Sequence, residues 1–231
     1  MCSSDLVQRI VSLQESSEPT RMINDSSEIR DALDLINIID RQRTLPYFQA
    51  IQRIDRSETV GWESLGRALT QDGVVPAGPL YFLAERGKVE AALSARFRES
   101  SQLCAECRHC WSNSTEQYLF INVHPAELRD DRPLQWLDQY CASPVAGLYR
   151  IVVEVPESHV CNTDEMKELV TQIHGRGLRV AYDDFGRGQS RIADLIAAPP
   201  DFLKLDRELI GSLGLNPVKH NLVKRSEEHT S

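Results

Sequence analysis

From residue 118 onward the chain repeats one arrangement: a short, nearly continuous apolar run closed by a residue able to bind a cation or carry a proton. LeuPheIleAsn closes on Asn122, IleValValGlu on Glu154, and ValAlaTyrAspAsp on Asp183 and Asp184, while PheLeuLys places Lys204 just ahead of Asp206. An earlier run, GlyTrpGlu, closes on Glu63. The intervals from Asn122 onward are 32, 29 and 21 residues (154−122, 183−154, 204−183). About 30 residues is one strand plus one crossover helix. Strands alternating with helices imply right-handed crossovers and a parallel sheet. Apolar runs without alternation are what burial on both sheet faces produces. The fold class expected is α/β, of the parallel-barrel kind, with polar groups gathered at one rim.

The remaining pattern fills in the units. Helical periodicity is visible over residues 5–14 and 27–40; in the second, Ile29, Leu33, Ile36 and Ile39 (or Asp40) fall on one face. Residues 47–54 and 59–65 read as strands about a turn at 55–58. A helix is expected over 79–98, a strand over 118–123, a helix over 133–140 and a strand over 148–155. A helix over 164–174 follows, with Gly175 at C′, then a strand over 178–182. A short helix over 192–196, a strand over 202–205 and a segment at 208–213 complete the series. Residues 1–44 read as a helical N-terminal extension or a linker from an upstream domain, 45–224 as the barrel domain, and 225–231 as a non-native tail.

Bulk properties exclude several classes. Of 231 residues, 41% are apolar, enough for a real core, and the formal charge is −8. That charge argues against a DNA-binding protein that works by neutralising phosphates. A small phosphate ligand remains compatible, because a bound cation reverses the local field. No apolar run reaches the roughly 18 residues of a membrane span, and the N-terminus lacks the order of a secretory signal. The six cysteines read as reduced thiols of a cytoplasmic protein. Cys104, Cys107 and Cys110, with His109, read as loop residues rather than a zinc site, since adjacent His109 and Cys110 cannot easily both face inward. His124 reads as a solvated rim histidine.

The carboxylates carry the chemistry. Several carboxylates brought together in a partly dry site repel strongly and persist only around positive charge. Carboxylates plus one amide oxygen suit a hard cation such as Mg²⁺ or Mn²⁺.

The residues also resemble a known family. GluSerLeu at 63–65, AsnVal at 122–123, GluValProGlu at 154–157, AspAspPheGly at 183–186 and LysLeuAsp at 204–206 look like the ordered motifs of EAL domains. Those are phosphodiesterases that hydrolyse the bacterial messenger cyclic di-GMP. The resemblance implies a TIM-like (β/α) barrel of the EAL type, here incomplete, with about six of the family's eight strands. It implies that Glu63, Asn122, Glu154 and Asp183 ligate one metal, that Asp183 bridges to a second, and that Asp184 binds the second. Lys204 would help activate the attacking water, and Glu157 would hold the loop after AspAspPheGly in its active form. Gln49, Arg67 and Asp206 would contact the nucleotide. Two cations, Mg²⁺ or Mn²⁺, would support hydrolysis to linear pGpG. The resemblance also admits a homodimer.

This chain departs from the family pattern in three places. Ser64 stands where the signature has alanine. Arg187, Gln189 and Arg191 are bulkier or more polar than the family's small and aromatic loop residues. The family's later GluGlyValGlu motif, with a ligand of the second metal, and a substrate-facing glutamine have no counterpart. Two functions therefore stay open: a cyclic di-GMP phosphodiesterase, and a non-catalytic module that binds cyclic di-GMP or a protein. A magnesium-dependent barrel enzyme acting on enolates is disfavoured by the pairing of AspAspPheGly with LysLeuAsp.

Overall fold

In the computed structural model, the residues described are 26–52, 58–71, 73–106, 117–124, 127, 135–156, 163–186 and 192–206. The expected helix at 5–14, the segment at 208–213 and most of the turn at 55–58 lie outside them. The chain divides into two compact units, Met1–Ile151 and Val152–Ser231, taken here in turn.

Among the described residues, the first element of this unit is α1 (Ser26–Asp40), followed by the antiparallel ribbon of β1 (Thr44–Gln52) and β2 (Thr59–Thr70). A short β3 (Gly73–Pro76) pairs with the far end of β2, and Pro76 then caps α2 (Ala77–Gly87). Helix α3 (Glu90–Glu106) leads to β4 (Tyr118–Asn122), which runs parallel to β2. Helices α4 (Gln135–Cys141) and α5 (Pro144–Leu148) lead to the start of β5 (Arg150–Pro156).

Three of these elements differ from expectation. The helix expected over 79–98 is two helices, because Lys88 takes a left-handed conformation at φ 52°. Its N–H donates to Glu85 O, and the Val89 N–H donates to Ala84 O, which closes α2. Gly87 weakens the helix there, and Val89 is buried at 2% exposure as the next helix begins. β3 and α5 are too short to leave a period in the sequence, and Pro144 sits at the start of α5.

The core of this unit is built by α1, α2 and α3 against β2. Leu35, Ile38 and Ile39 from α1 meet Leu80 and Ala84 from α2, Leu93 and Phe97 from α3, and Ala68 from β2. The α1 face is rotated from the one expected: Leu33 is exposed, and Ile36 only flanks the core. Ile38 and Leu93 are fully buried, each worth about 1.5–3 kcal/mol. Gly66 is required by close approach, since a Cβ there would fall 2.5 Å from the Phe97 ring. At the ribbon's other end, Trp62 Nε1 donates to Gln117 Oε1 over 3.1 Å, and the Arg150 N–H donates to Gln117 O.

The second unit is a parallel array. β5 pairs with β6 (Arg179–Phe185), which pairs with β7 (Phe202–Leu205). Helix α6 (Thr163–His174) crosses between β5 and β6, and α7 (Ile192–Ala197) between β6 and β7. Val152, Val153, Val155, Val180 and Ala181 are fully buried, matching the near-continuous apolar runs. Met166, Val170 and Ile173 line the inner face of α6. The left-handed residue that ends α6 is Gly177, at φ 73°, rather than Gly175. Its N–H donates to His174 O and that of Leu178 to Ile173 O, the paired bonds of a Schellman motif.

Candidate functional site

In the first unit, the ribbon carries the residues expected to bind ligand. Gln49 lies directly across from Glu63, and Leu45 from Arg67. Because side chains alternate along a strand, Gln49, Glu63 and Arg67 occupy one face. The Arg67 guanidinium lies 5.3 Å from the centre of the Tyr47 ring, which fixes its direction along that face. Glu63 does not end its strand: β2 continues to Thr70. What ends near Glu63 is the pairing with β4, whose last partnered pair is Ser64 with Ile121. Beyond that point β2 is held by β1 and β3. Asn122 is the last residue of β4 and is exposed. It lies two residues past Phe120, the partner of Glu63, so it shares the Glu63 face. Its Nδ2 donates to Ser64 O over 3.5 Å.

In the second unit, alternation and register put Glu154, Asp183 and Lys204 on one face. Glu154 lies beside Ala181, Pro156 beside Asp183, and Ala181 beside Phe202. The Lys204 ammonium is 2.6 Å from Glu154 Oε1 and 3.2 Å from Asp183 Oδ1. Glu154 is fully buried, while Asp183 and Lys204 retain 22% and 26% exposure. The β6–β7 register slips between Tyr182 and Phe185. That slip is a bulge, which re-aims side chains: Asp183 and Asp184 together stand against Lys204 alone. Asp184 takes φ 56° and Gly186 φ 98°, so the strand end is sharply bent. Asp206 follows β7, and its N–H donates to Phe185 O.

The charge balance of this group tests whether a cation fits. Two carboxylates, one of them wholly buried, share one ammonium, and Asp184 is the next residue along the strand. Carboxylates at this depth carry a large desolvation cost that one lysine offsets only in part. The donors are all oxygens, the preference of a hard divalent cation. The residues fit such an ion.

Glu157, residues 187–191, Cys107, His109 and Cys110 lie outside the described residues. Cys104 is half-buried in the last turn of α3 rather than in a loop. His124 is half-buried, its ring stacked on Tyr81 with centroids 4.5 Å apart and planes 13° apart, so it is held rather than loosely solvated. Burial pushes the Tyr81 hydroxyl up to about 12, against a hydrogen bond with Ser94 that lowers it. The sequence reading missed that stack and a buried pair between Arg98 and Glu127, whose members are far apart in the chain.

The sequence model of the EAL domain matches residues 27–226, and the chain belongs to that family. Its relatives include YkuI of Bacillus subtilis, an uncharacterized EAL-domain protein, 26% identical over 187 residues, which are 78% of this chain and 44% of YkuI. The solved YkuI structure, in complex with cyclic di-GMP and calcium, superposes with a TM-score of 0.63 at 23% identity over 78% of this chain and 45% of that one. PdeN of Escherichia coli, a probable cyclic di-GMP phosphodiesterase, is 30% identical over 98 residues, 42% of this chain and 19% of PdeN. The EAL domain of FimX from Pseudomonas aeruginosa, solved with bound cyclic di-GMP, gives a TM-score of 0.70 at 18% identity, covering 86% of this chain and 80% of that one. The fold is therefore the TIM-like barrel of EAL domains. The chain spans less than half the length of YkuI and about a fifth of PdeN.

Proposed function

We propose that this domain hydrolyses cyclic di-GMP to linear pGpG with the help of bound divalent cations, Mg²⁺ or Mn²⁺. The observation that carries the proposal is the buried Glu154 carboxylate sharing the Lys204 ammonium with Asp183, within a family whose relatives include a probable cyclic di-GMP phosphodiesterase. The calcium and cyclic di-GMP in the YkuI complex support the same reading. Glu63, Asn122, Glu154 and Asp183 are the proposed ligands of one ion, and Asp183 with Asp184 those of a second.

When bound, the cations would polarise a phosphoryl oxygen and acidify a water. The chain's own groups do the rest. Lys204 Nζ, charged and anchored by two carboxylates, is the proposed group that orients the attacking water. The Arg67 fork suits phosphate, and Gln49 stands on the same face to meet a base edge, with Asp206 a further nucleotide contact. Glu157 is proposed to steady the loop after Phe185. Water adds to phosphorus and the 3′ oxygen departs, taking a proton.

A cytoplasmic setting, residues 1–44 as an extension or linker, 225–231 as a tail, and a homodimer belong to the proposal as well. Among the described residues, no helix is long and apolar enough to cross a membrane. The test is incubation of the chain with cyclic di-GMP and Mg²⁺ or Mn²⁺, with chromatography of the nucleotides. Linear product that disappears in Glu63→Ala and Lys204→Ala supports the enzyme. Retention of cyclic di-GMP without any product would leave a binding module in its place.

A further inference from the structure

A buried ion pair in the first unit has no part in the chemistry above. Arg98 of α3 and Glu127 lie 2.6 Å apart, with side chains 8% and 7% exposed. Arg98 Nη1 also donates to Ser94 Oγ over 3.1 Å, and its guanidinium sits 4.0 Å from the centre of the Trp136 ring. Glu127 Oε1 accepts the His124 N–H over 3.2 Å, while the Glu127 N–H donates to His124 O over 2.9 Å. His124 and Glu127 are thus tied to each other twice, and Arg98 of α3 holds Glu127.

A pair buried this deeply is a poor device for stability. Apolar residues of similar volume often serve as well or better. What apolar residues cannot supply is an acceptor for the His124 N–H. That amide lies two residues beyond Asn122, whose side-chain contact to Ser64 O is long, at 3.5 Å. The direction of the Asn122 amide therefore depends on the backbone that follows it. We infer that Arg98 and Glu127 are positioning residues that fix the backbone at His124 and so hold Asn122 in its cation-binding geometry. The inference rests on the proposed role of Asn122 as a ligand.

The test compares the double variant Arg98→Met with Glu127→Met, the rescue variant Arg98→Met with Glu127→Gln, and Asn122→Ala. Three readouts are used: thermal unfolding, hydrogen exchange of the His124 amide without metal, and Mn²⁺ affinity from the electron paramagnetic signal of the free ion. The Met/Met variant is expected to melt close to the parent, to exchange His124 about tenfold faster, and to bind Mn²⁺ about tenfold more weakly. The Met/Gln variant, which keeps an acceptor but no charge, is expected to recover both. Asn122→Ala weakened with Met/Met unchanged overturns the inference alone. Asn122→Ala binding Mn²⁺ like the parent sinks the ligand assignment, and the inference falls with it. Should Met/Met fail to fold, Arg98→Lys gives the answer: about threefold weaker Mn²⁺ binding is expected, and unchanged binding refutes the positioning role.

Discussion

Replacing Lys204 by methionine isolates the electrostatics of the second unit. The ammonium is 2.6 Å from a fully buried Glu154 oxygen and 3.2 Å from Asp183. Methionine keeps most of the stem volume and deletes the charge, leaving Glu154 buried beside other carboxylates. Removing one partner of a buried pair costs about 3–5 kcal/mol. Lys204 retains 26% exposure, so water can enter, and the lower end, about 3 kcal/mol, is expected. Urea unfolding without metal should show that loss as a lower midpoint with an unchanged slope. Mn²⁺ should then stabilise by mass action, about 2.7 kcal/mol at a hundred times its dissociation constant. Glu154→Gln is the control. It removes the buried charge and leaves Lys204 paired with Asp183, so metal-free stability should change by only about 1 kcal/mol. A Lys204→Met loss below about 1 kcal/mol, equal to that of Glu154→Gln, would show that the ammonium does not compensate the buried carboxylate.

Asp201 ties the start of β6. Burial pushes its pKa up, but the Val180 N–H, His174 and Arg179 outweigh burial and hold it below the ordinary carboxylate value. A lowered folded pKa contributes stability above the unfolded value, lost as pH falls through the folded one. Asp201→Asn should therefore cost about 1 kcal/mol near neutrality. The gap from the parent should close as pH drops below about 4, and a pH-independent gap in urea melts would contradict the assignment. Asp184 makes the opposite kind of prediction. Its left-handed backbone, φ 56°, costs about 1 kcal/mol or more in a residue other than glycine. Asp184→Gly should raise the metal-free melting temperature while weakening Mn²⁺ binding at least several-fold; a lower melting temperature would mean that the carboxylate is structural.

What the sequence could and could not reveal divides along a physical line. The strands β4 to β6 were legible because burial on both faces demands unbroken apolar runs, which Glu154 and Asp183 interrupt, while half-buried β7 was marked by the apolar residues around Lys204. Periodicity did not mark where β2 stops. The strand expected over 59–65 stopped short of Gly66, Arg67 and Thr70, because that end of β2 is held from outside, by β1 and β3, rather than by an apolar pattern of its own. The phase of α1 was ambiguous for a related reason: its apolar residues allow two adjacent faces, and packing against α2 and α3 selects Leu35, Ile38 and Ile39. The bulge at Asp183 and Asp184 is a matter of register with β7, which neither strand encodes alone. The Arg98–Glu127 pair spans 29 residues of sequence, and nothing local distinguishes Glu127 from a solvated rim carboxylate. Strand-end chemistry is thus written in single segments, where burial makes a polar residue conspicuous. The groups that aim that chemistry are written between segments, and they become visible only when register and packing have brought those segments together.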